Sequence, residues 1–420
     1  MIRRVPLPAD PLALARALEG RPGLAVLASA PDAAMRPDDA RFAFVACEPI
    51  EISEDLVPSS ASDRGWAGHA AAPRWIGVVP YEAVRALERR GHERRPAPRI
   101  GRSRWNRYDA VIRVDLFTGE VAIEGDDAAA CERLFRAARR GAREPRDFVL
   151  RARPFEPRAV HEARVRAALE LIARGDVYQV NLARRLDFDA EGAPIDLFGK
   201  IFGKAPSPWS VLWEMDDDLV VIGTSPELAL EARGGALRTA PIKGTRPRGA
   251  DAESDEAMRR ELEASDKERS ELVMAVDLHR NDLGRVARTG SVRVLGEPRT
   301  LASRTVLSRA HEIVASRDVD VDLSRVVSAM IPCGSVTGAP KVRAMEIIAE
   351  LEAERRGLYT GAVGYVGRDG GLVLAMAIRT AVLSRRDRVL EYFTGGGIVA
   401  GSDPAREVDE TEWKAKQLLD

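Results

Sequence analysis

Apolar positions in the first 140 residues fall into short runs that are separated by proline, glycine and aspartate. Runs at 23–28, 76–79 and 110–116 have the length of β-strands, and the breaks between them are typical of turns. The basic, proline-containing stretch 139–157 is predicted to be a connector. We therefore expect an N-terminal region over residues 1–150 and a second, larger domain over residues 151–420.

Helical and extended patterns alternate after the connector. Apolar spacing, cap residues and glycine stops predict helices at 158–174, 252–283, 340–356 and 402–420. Extended patterns predict strands at 178–188, 219–222, 228–232, 236–242, 361–367, 372–383 and 388–394. Strand pairs interleaved with helices, rather than strict strand–helix–strand units, favour an antiparallel α+β architecture.

Composition and charge narrow the class of protein. The 420 residues are 45% hydrophobic and 31% charged, with a net charge of −1, which is typical of soluble globular chains and predicts no attraction to nucleic acid. No run of about 18 apolar residues indicates a membrane helix. Cys47, Cys131 and Cys333 lie too far apart for a metal or redox motif, so a cytoplasmic location is expected.

Lysine is rare, because only seven of the 64 basic residues are lysines. One of them, Lys243, lies in the segment PIKGTRP (241–247), directly after a predicted hairpin strand. An amine can act as a nucleophile, whereas the guanidinium of arginine stays protonated. From its position alone, Lys243 is either such a nucleophile or an ordinary surface lysine.

Two predicted helices each present carboxylates on one face. Glu268 and Glu271 are three residues apart, and Glu407, Glu410 and Lys414 share a face of the last helix. Carboxylates placed in this way could hold Mg²⁺, which takes one or two of them together with substrate oxygens. The spacing alone also fits solvated charged faces, which are the commoner case.

Three further features are candidates for chemistry. Gly395, Gly396 and Gly397 follow a predicted strand and offer backbone N–H groups to an anion, unless they form only a tight turn. Glu227 follows a buried strand and is either a general acid or a turn cap. His311, one of five histidines, is either catalytic or a satisfied structural residue.

Taken in order, nine segments resemble the chorismate-utilising enzymes, and within them aminodeoxychorismate synthase component I of 4-aminobenzoate and folate biosynthesis. The segments are GDVYQVNLARR (175–185), GTSPEL (223–228), PIKGTRPRG (241–249), SDKERSELVMAVDLHRNDLGRV (265–286), GSVTGAPKVRAMEIIAELE (334–352), YTGAVGYV (359–366), AIRTAV (377–382), GGGIVAGSDP (395–404) and EVDETEWKAK (407–416). The N-terminal region is less similar, although CEPIEI (47–52) matches. The resemblance implies antiparallel β-sheets packed as a sandwich, with helices outside.

The resemblance also implies a cofactor and a substrate, Mg²⁺ and chorismate. Glu271 and Glu410 match residues that bind Mg²⁺ directly, and Glu268 and Glu407 match carboxylates that act largely through water. The metal ion would bind one carboxylate of the substrate near Lys414. The positions that match other substrate contacts are Gly244, Thr245, Thr337, Tyr359, Arg379, Gly395, Gly396 and Gly397, with Tyr359 and Arg379 holding the second carboxylate.

The resemblance implies that four positions determine which reaction is catalysed. Glu227 matches the general acid that protonates the departing 4-hydroxyl, and His311 matches a histidine near the ring. Relatives that add water carry a lysine base where this chain has Gln179, which cannot act as a base. Lys243 stands where anthranilate synthases usually have a small residue. The resemblance implies that Lys243 attacks C2 and that ammonia then attacks C4, which gives a para product.

The resemblance further implies two partners, a separate glutamine amidotransferase subunit that supplies ammonia and a downstream aminodeoxychorismate lyase. Two alternatives remain open. The first is anthranilate synthase component I of tryptophan biosynthesis, which shares the metal, substrate and ammonia source. The second is a non-catalytic regulatory relative that binds chorismate or tryptophan and controls a partner.

Overall fold

Strands make up much of the regular structure in residues 2–59, 72–83 and 95–419, which are the residues that the computed structural model describes. The strands are β1 (Ile2–Arg4), β2 (Ala25–Ala28), β3 (Phe42–Ala46), β4 (Glu51–Ser53), β5 (Pro73–Val79), β6 (Arg104–Arg107), β7 (Ala110–Asp115), β8 (Val121–Gly125), β9 (Val149–Ala152), β10 (Gln179–Glu191), β11 (Trp209–Glu214), β12 (Leu219–Ser225), β13 (Leu228–Arg233), β14 (Ala236–Ala240), β15 (Ile242–Pro247), β16 (Arg293–Ala302), β17 (Val306–Ser316), β18 (Gly338–Ala339), β19 (Ala362–Gly367), β20 (Leu372–Met376), β21 (Thr380–Ser384) and β22 (Val389–Ile398). The helices are α1 (Pro11–Ala17), α2 (Ala128–Ala138), α3 (Arg158–Ala173), α4 (Pro194–Lys204), α5 (Ala252–Ala264), α6 (Asp266–Gly284), α7 (Leu323–Met330), α8 (Lys341–Leu351) and α9 (Pro404–Leu419).

The strands form two sheets in which neighbouring strands run antiparallel. The first sheet has the order β1-β8-β7-β3-β2-β11-β12-β21-β22-β10-β18, with β9 beside β10. The second has the order β15-β17-β14-β13-β20-β19-β5-β6-β4, with β16 beside β17. This arrangement confirms the predicted α+β class with antiparallel sheets.

The two sheets share a buried apolar layer. Trp213 and Phe44 from the first sheet belong to the same cluster as Ile76 and Val363 from the second. Burial of apolar surface contributes about 25 cal/mol per Å², which makes such a layer a main source of stability. Strands from before residue 150 pair with later strands in both sheets, β2 with β11 and β5 with β19, so the sheets continue across the predicted boundary.

Most predicted elements after residue 157 are present, but two helices differ. The helix expected over 252–283 is two helices, because Ser265 adopts an extended conformation and its hydroxyl caps α6 by accepting the Glu268 N–H. The helix expected over 340–356 ends at Leu351, because Glu352 turns to an extended ψ of 144° and buries its side chain. Apolar spacing continues through both breaks, so it does not reveal them.

The strand expected over 372–383 is two strands that belong to different sheets. β20 ends at Met376 in the second sheet, and β21 starts at Thr380 in the first. Arg379 turns the chain between them with a φ of +50°, and its carbonyl accepts the Thr224 N–H at 3.1 Å. Because both halves are apolar, the sequence pattern does not distinguish one long strand from two.

The Gly395–Gly397 segment is part of a strand and not a turn. β22 continues through it and pairs with β10, placing Gly396 opposite Leu182. A Cβ at residue 395 would lie 2.5 Å from the Leu182 carbonyl oxygen, which only glycine avoids.

Two smaller differences from the predicted elements concern Ile242 and the connector 139–157. Ile242 begins β15 instead of ending the hairpin strand, and the connector contains β9.

None of the helices in the described ranges combines the length and apolar character needed to span a bilayer. Cys47, Cys131 and Cys333 are buried and free.

A buried ion pair joins several elements next to the cavity described below. Arg356, which is 2% exposed, makes a bidentate pair with Glu352 at 2.6 and 3.0 Å. Its guanidinium also donates to the carbonyl oxygens of Asn181 on β10 and of Val336, at 2.8 and 3.0 Å. The Ala183 N–H donates to the Glu352 carboxylate at 2.8 Å. The pair therefore connects the end of α8 to β10 and to the 3₁₀ turn Gly334–Val336.

Replacing Arg356 with methionine should lower the free energy of unfolding by about 3–5 kcal/mol, because Glu352 would keep its buried charge without a partner. Urea denaturation of the variant and the wild type measures this. Arg166→Met is the matched control, since Arg166 forms an exposed pair with Glu162, and its loss should cost less than about 1 kcal/mol. Equal losses in the two variants would contradict the structural role of the buried pair.

Candidate active site

A cavity of about 530 Å³ lies where β15, β22, α6 and α9 meet. All but three of the predicted site residues line it. The lining residues that the sequence singled out are Glu227, Lys243, Gly244, Thr245, Glu268, Glu271, Tyr359, Arg379, Gly395, Gly396, Gly397, Glu407, Glu410 and Lys414. The fold thus gathers residues that are up to 187 positions apart in the chain into one concave surface, as ligand sites require.

The three other predicted residues lie outside the lining. Gln179 is buried behind Gly397, with its Nε2 3.1 Å from where a Cβ at that glycine would be. Thr337 is fully buried and donates to the Cys333 carbonyl oxygen at 2.9 Å. His311 lies on β17 with its Nε2 3.0 Å from the Gly296 carbonyl oxygen. The structure therefore does not place His311 on the cavity surface.

One end of the cavity is acidic, and glycines bring the backbone close to it. Gly244 has a φ of +73°, and a Cβ there would lie 3.0 Å from Glu268 Oε2. A Cβ at Gly396 would lie 2.9 Å from Glu407 Oε2 and 3.8 Å from Glu410 Oε1. The absence of side chains at these two positions lets β15 and β22 approach the carboxylates of α6 and α9.

The acidic residues perturb one another. Burial raises the pKa of Glu271, and the nearby Glu268 and Glu410 raise it further. Burial and Glu410 likewise raise the pKa of Glu407. Burial acts to raise the pKa of Glu410, but the Lys414 ammonium, 2.6 Å away, together with Lys267 and Lys243, lowers it overall. The four carboxylates thus form a crowded negative site.

This donor set fits a hard divalent cation. In the described part of the chain, no group of three or more histidine, cysteine, aspartate or glutamate side chains is placed to hold a metal alone. Carboxylates from α6 and α9 nevertheless line the same cavity, and Mg²⁺ completes a partial protein set with substrate oxygens and water. A cation there would also offset the mutual repulsion that raises the pKa of Glu271 and of Glu407.

A buried carboxyl and a lysine also line the cavity. Glu227 is 3% exposed, and its Oε1 accepts a hydrogen bond from the Ser335 hydroxyl at 3.0 Å. The Lys243 ammonium donates to the Ser335 carbonyl oxygen at 3.2 Å. Burial raises the pKa of Glu227 to about 7, although Lys243, Ser335 and the Ile242 amide counteract it. A carboxyl with such a pKa can give up a proton near neutral pH.

Arg379 provides positive charge on the cavity wall. Loss of contact with water lowers the pKa of its guanidinium. Among the described residues, no carboxylate lies within 4.0 Å of that guanidinium, whereas many other arginines in the protein are paired. Tyr359 also lines this wall, stacked on Phe393 with ring centroids 5.5 Å apart. An unpaired cation in a cavity is suited to bind an anionic group of a ligand.

Sequence reasoning missed two residues beside Glu227. Ser335 lies within a segment that carried the resemblance, but nothing in its spacing marked the hydroxyl. His279 is fully buried on α6, with Nε2 3.1 Å from Ser335 Oγ. The apolar face of α6, with Leu272, Ala275 and Leu283, predicts that residue 279 is buried but not what it contacts.

The chain is similar to known proteins over most of its length. Residues 41–420 match the model of the chorismate binding enzyme family. The anthranilate synthase component 1 of Streptomyces coelicolor is 35% identical over 414 residues, which cover 90% of this chain and 80% of that protein. The aminodeoxychorismate synthase component 1 of Bacillus subtilis is 40% identical over 264 residues, which cover 63% of this chain and 55% of that protein. The crystal structure of anthranilate synthase component I from Streptococcus pneumoniae matches with a TM-score of 0.75 at 27% identity, covering 91% of this chain and 92% of that one.

The raised pKa of Glu227 has a measurable consequence for stability. Because the folded protein holds this proton more tightly than the unfolded chain does, stability should fall as the pH rises from 4.5 to about 7. Glu227→Gln removes this loss, so its stability relative to the wild type should increase by on the order of 3 kcal/mol over that interval.

Urea denaturation at both ends of the interval measures the effect. Glu253→Gln, a substitution at an exposed glutamate of α5, is the control and should show no comparable dependence on pH. A difference between Glu227→Gln and the wild type that stays constant with pH would contradict the raised pKa.

Proposed function

The chain belongs to the chorismate binding enzyme family, and we propose that within it this protein acts as aminodeoxychorismate synthase component I. It would convert chorismate and ammonia to 4-amino-4-deoxychorismate and water. The observation that carries the proposal is that Lys243 and the proton-donating Glu227 line one cavity, both linked to Ser335 at about 3 Å. A nucleophilic amine beside a general acid is what a two-step displacement requires.

The lining of the cavity suits a substrate that carries two carboxylates. Arg379 and Tyr359 would hold one substrate carboxylate by charge and hydrogen bonding. At the acidic end, Glu271 and Glu410 would hold Mg²⁺ directly, with Glu268 and Glu407 acting through water. When bound, the ion supplies positive charge for the second substrate carboxylate. Lys414 adds a cation there, donating to the Gly395 carbonyl oxygen at 2.7 Å.

Lys243 and Glu227 would carry the covalent steps. In the first step, the Lys243 ammonium gives a proton to the Glu227 carboxylate, and the resulting amine forms a bond to C2. Both ring double bonds shift, and the C4–O bond breaks while Glu227 protonates the leaving hydroxyl, which departs as water. In the second step, ammonia bonds to C4 and the C2–Nζ bond breaks, which restores the lysine amine. The new ammonium at C4 then returns a proton to the Glu227 carboxylate.

Ammonia would come from a separate glutamine amidotransferase subunit, and a lyase would convert the product to 4-aminobenzoate. Gln179 argues against addition of water at C2, because an amide cannot act as a general base. Lys243 and Glu227 together also argue against a purely regulatory relative, which would have no use for a nucleophile and an acid.

Anthranilate synthase component I is the second candidate. It is supported by the names of several relatives, among them the Streptomyces coelicolor protein that aligns with 90% of this chain. The two candidates share substrate, metal and ammonia source and differ in the carbon that is aminated. The choice between them therefore depends on the role of Lys243.

Product analysis tests the proposal. Incubated with chorismate, Mg²⁺ and an ammonium salt, the purified protein should give 4-aminobenzoate only when aminodeoxychorismate lyase is added, as detected by chromatography with mass detection. Lys243→Ala should reduce the rate of C4 amination by roughly 100-fold or more, because it removes the nucleophile of the first step. Lys200→Ala, at an exposed lysine of α4, is the control and should retain the wild-type rate.

Anthranilate formed by the wild type without the lyase would assign the protein to the second candidate. Wild-type amination at C4 by Lys243→Ala would instead refute the covalent step while leaving the product assignment in place.

Glu410→Gln should raise the Mg²⁺ concentration needed for half-maximal turnover by more than roughly tenfold, because a neutral amide binds the ion less well. Turnover measured across a Mg²⁺ titration checks this. Asp409→Asn is the neighbouring control, since Asp409 pairs with Arg158 at the surface and does not line the cavity. An unchanged Mg²⁺ dependence of Glu410→Gln would remove Glu410 from the metal site.

A further inference from the structure

A line of side-chain hydrogen bonds lies behind Glu227. Thr239 Oγ1 on β14 is 2.8 Å from His279 Nδ1, and His279 Nε2 is 3.1 Å from Ser335 Oγ, which is 3.0 Å from Glu227 Oε1. None of the four side chains is more than 3% exposed. The reaction proposed above uses Glu227 but gives no role to Thr239 or His279.

The chemistry of each group limits how the hydrogens can be arranged. A hydroxyl has one hydrogen to donate, and a neutral imidazole has one N–H and one lone pair. Burial lowers the pKa of His279 to about 3, so the ring is neutral at the pH of the cell. Each atom of the line therefore donates on one side and accepts on the other.

One arrangement suits an ionised Glu227. Thr239 donates to Nδ1 of His279, Nε2–H donates to Ser335, and Ser335 donates to the Glu227 carboxylate. Every hydrogen is directed toward the negative charge, and such aligned donors stabilise a buried anion.

The reverse arrangement suits a protonated Glu227. The carboxyl donates to Ser335, Ser335 donates to Nε2 of His279, and Nδ1–H donates to Thr239. Thr239 can then donate to the Leu228 carbonyl oxygen, which lies 3.4 Å away. No buried donor in the line loses its acceptor in either state, so neither state incurs the cost of an unsatisfied polar group. Only the tautomer of His279 and the hydroxyl orientations differ between them.

The charged and titratable groups around the line are few. Lys243 faces Glu227 from β15, and its charge also acts on His279. Lys341 faces His279 from α8 and is paired with Asp282 at 2.6 Å. Cys333 is buried, which raises the pKa of its thiol and keeps it neutral. Burial also raises the pKa of Asp282, and it raises that of Glu227 to about 7.

We propose that His279 is a positioning residue that keeps Glu227 hydrogen-bonded in both of its protonation states by exchanging its tautomer as the carboxyl loses and regains its proton. A general acid that works in every turnover must pass through both states. The role in turnover rests on the proposed function, whereas the tautomer exchange does not depend on any substrate.

The exchange can be tested by nitrogen-15 NMR of substrate-free protein that carries labelled histidine. The two neutral tautomers differ in which ring nitrogen is protonated, so a titration from about pH 5 to pH 9 follows the exchange directly. His279→Leu identifies the signals. We expect Nδ1 to carry the proton at low pH and Nε2 at high pH, with a midpoint near 7. Glu227→Gln should abolish the exchange, and it also identifies His279 if His279→Leu fails to fold. A single tautomer throughout the titration would overturn the proposal.

Turnover tests the consequence. His279→Leu should lower kcat by roughly tenfold, less than the ~10²–10⁴ expected for loss of a general acid, with little change in KM for chorismate. The alkaline limb of its kcat profile should move to higher pH, because the Glu227 anion loses the donors aligned toward it. His161→Leu, at another buried histidine, is the matched control and should leave that limb in place.

Product analysis of the wild type and the nitrogen-15 NMR titration together separate the possible failures. If the wild type makes anthranilate, or nothing, while His279 still exchanges its tautomer, the proposed function fails and the pairing of His279 with Glu227 stands. If the wild type aminates C4 while His279 keeps one tautomer, the proposed function stands and the inference about His279 is wrong.

Discussion

The buried pair of Arg356 with Glu352 is the constraint on which the cavity depends. A bidentate ion pair out of contact with water is stable only when its remaining donors and acceptors are satisfied, and here backbone groups of β10 and of the turn before β18 satisfy them. The same guanidinium lies 5.6 Å from the ring centre of Tyr359, which lines the cavity. The pair therefore fixes one wall of the cavity to the longest strand pairing of the first sheet.

The negative and positive side chains of the cavity come from different elements of the fold. Helices α6 and α9 supply the acidic side chains, while the turn between β20 and β21 supplies Arg379 without a carboxylate partner in the described residues. Burial then acts differently on each group, raising the pKa of Glu227 and of Glu271 and lowering that of Arg379. One cavity thereby combines a cluster of carboxylates, an arginine without a carboxylate partner among the described residues, and a buried carboxyl with a raised pKa.

The sequence predicts the fold class and most of this site, for different reasons. Helices such as α3 and strands such as β12 follow from apolar spacing and end signals. The break at Ser265 and the change of sheet at Arg379 depend on tertiary contacts that local patterns do not contain. The carboxylates are assigned through the family resemblance, because their spacing alone also fits solvated helix faces. The partners of His279 come from β14 and from a distant turn, and spacing carries no information about them.

The glycines of β22 restrict how the sequence of the protein can evolve. Glycine in a strand costs roughly 0.5–1 kcal/mol relative to alanine, so in most strands drift toward alanine is favourable. That route is closed at Gly395, where a Cβ would lie 2.5 Å from the Leu182 carbonyl oxygen. At Gly396 a Cβ would crowd only the flexible end of Glu407, whose carboxylate would have to move. Position 395 is therefore restricted to glycine, while evolution of the chemistry is left to lining positions that carry side chains, such as Lys243.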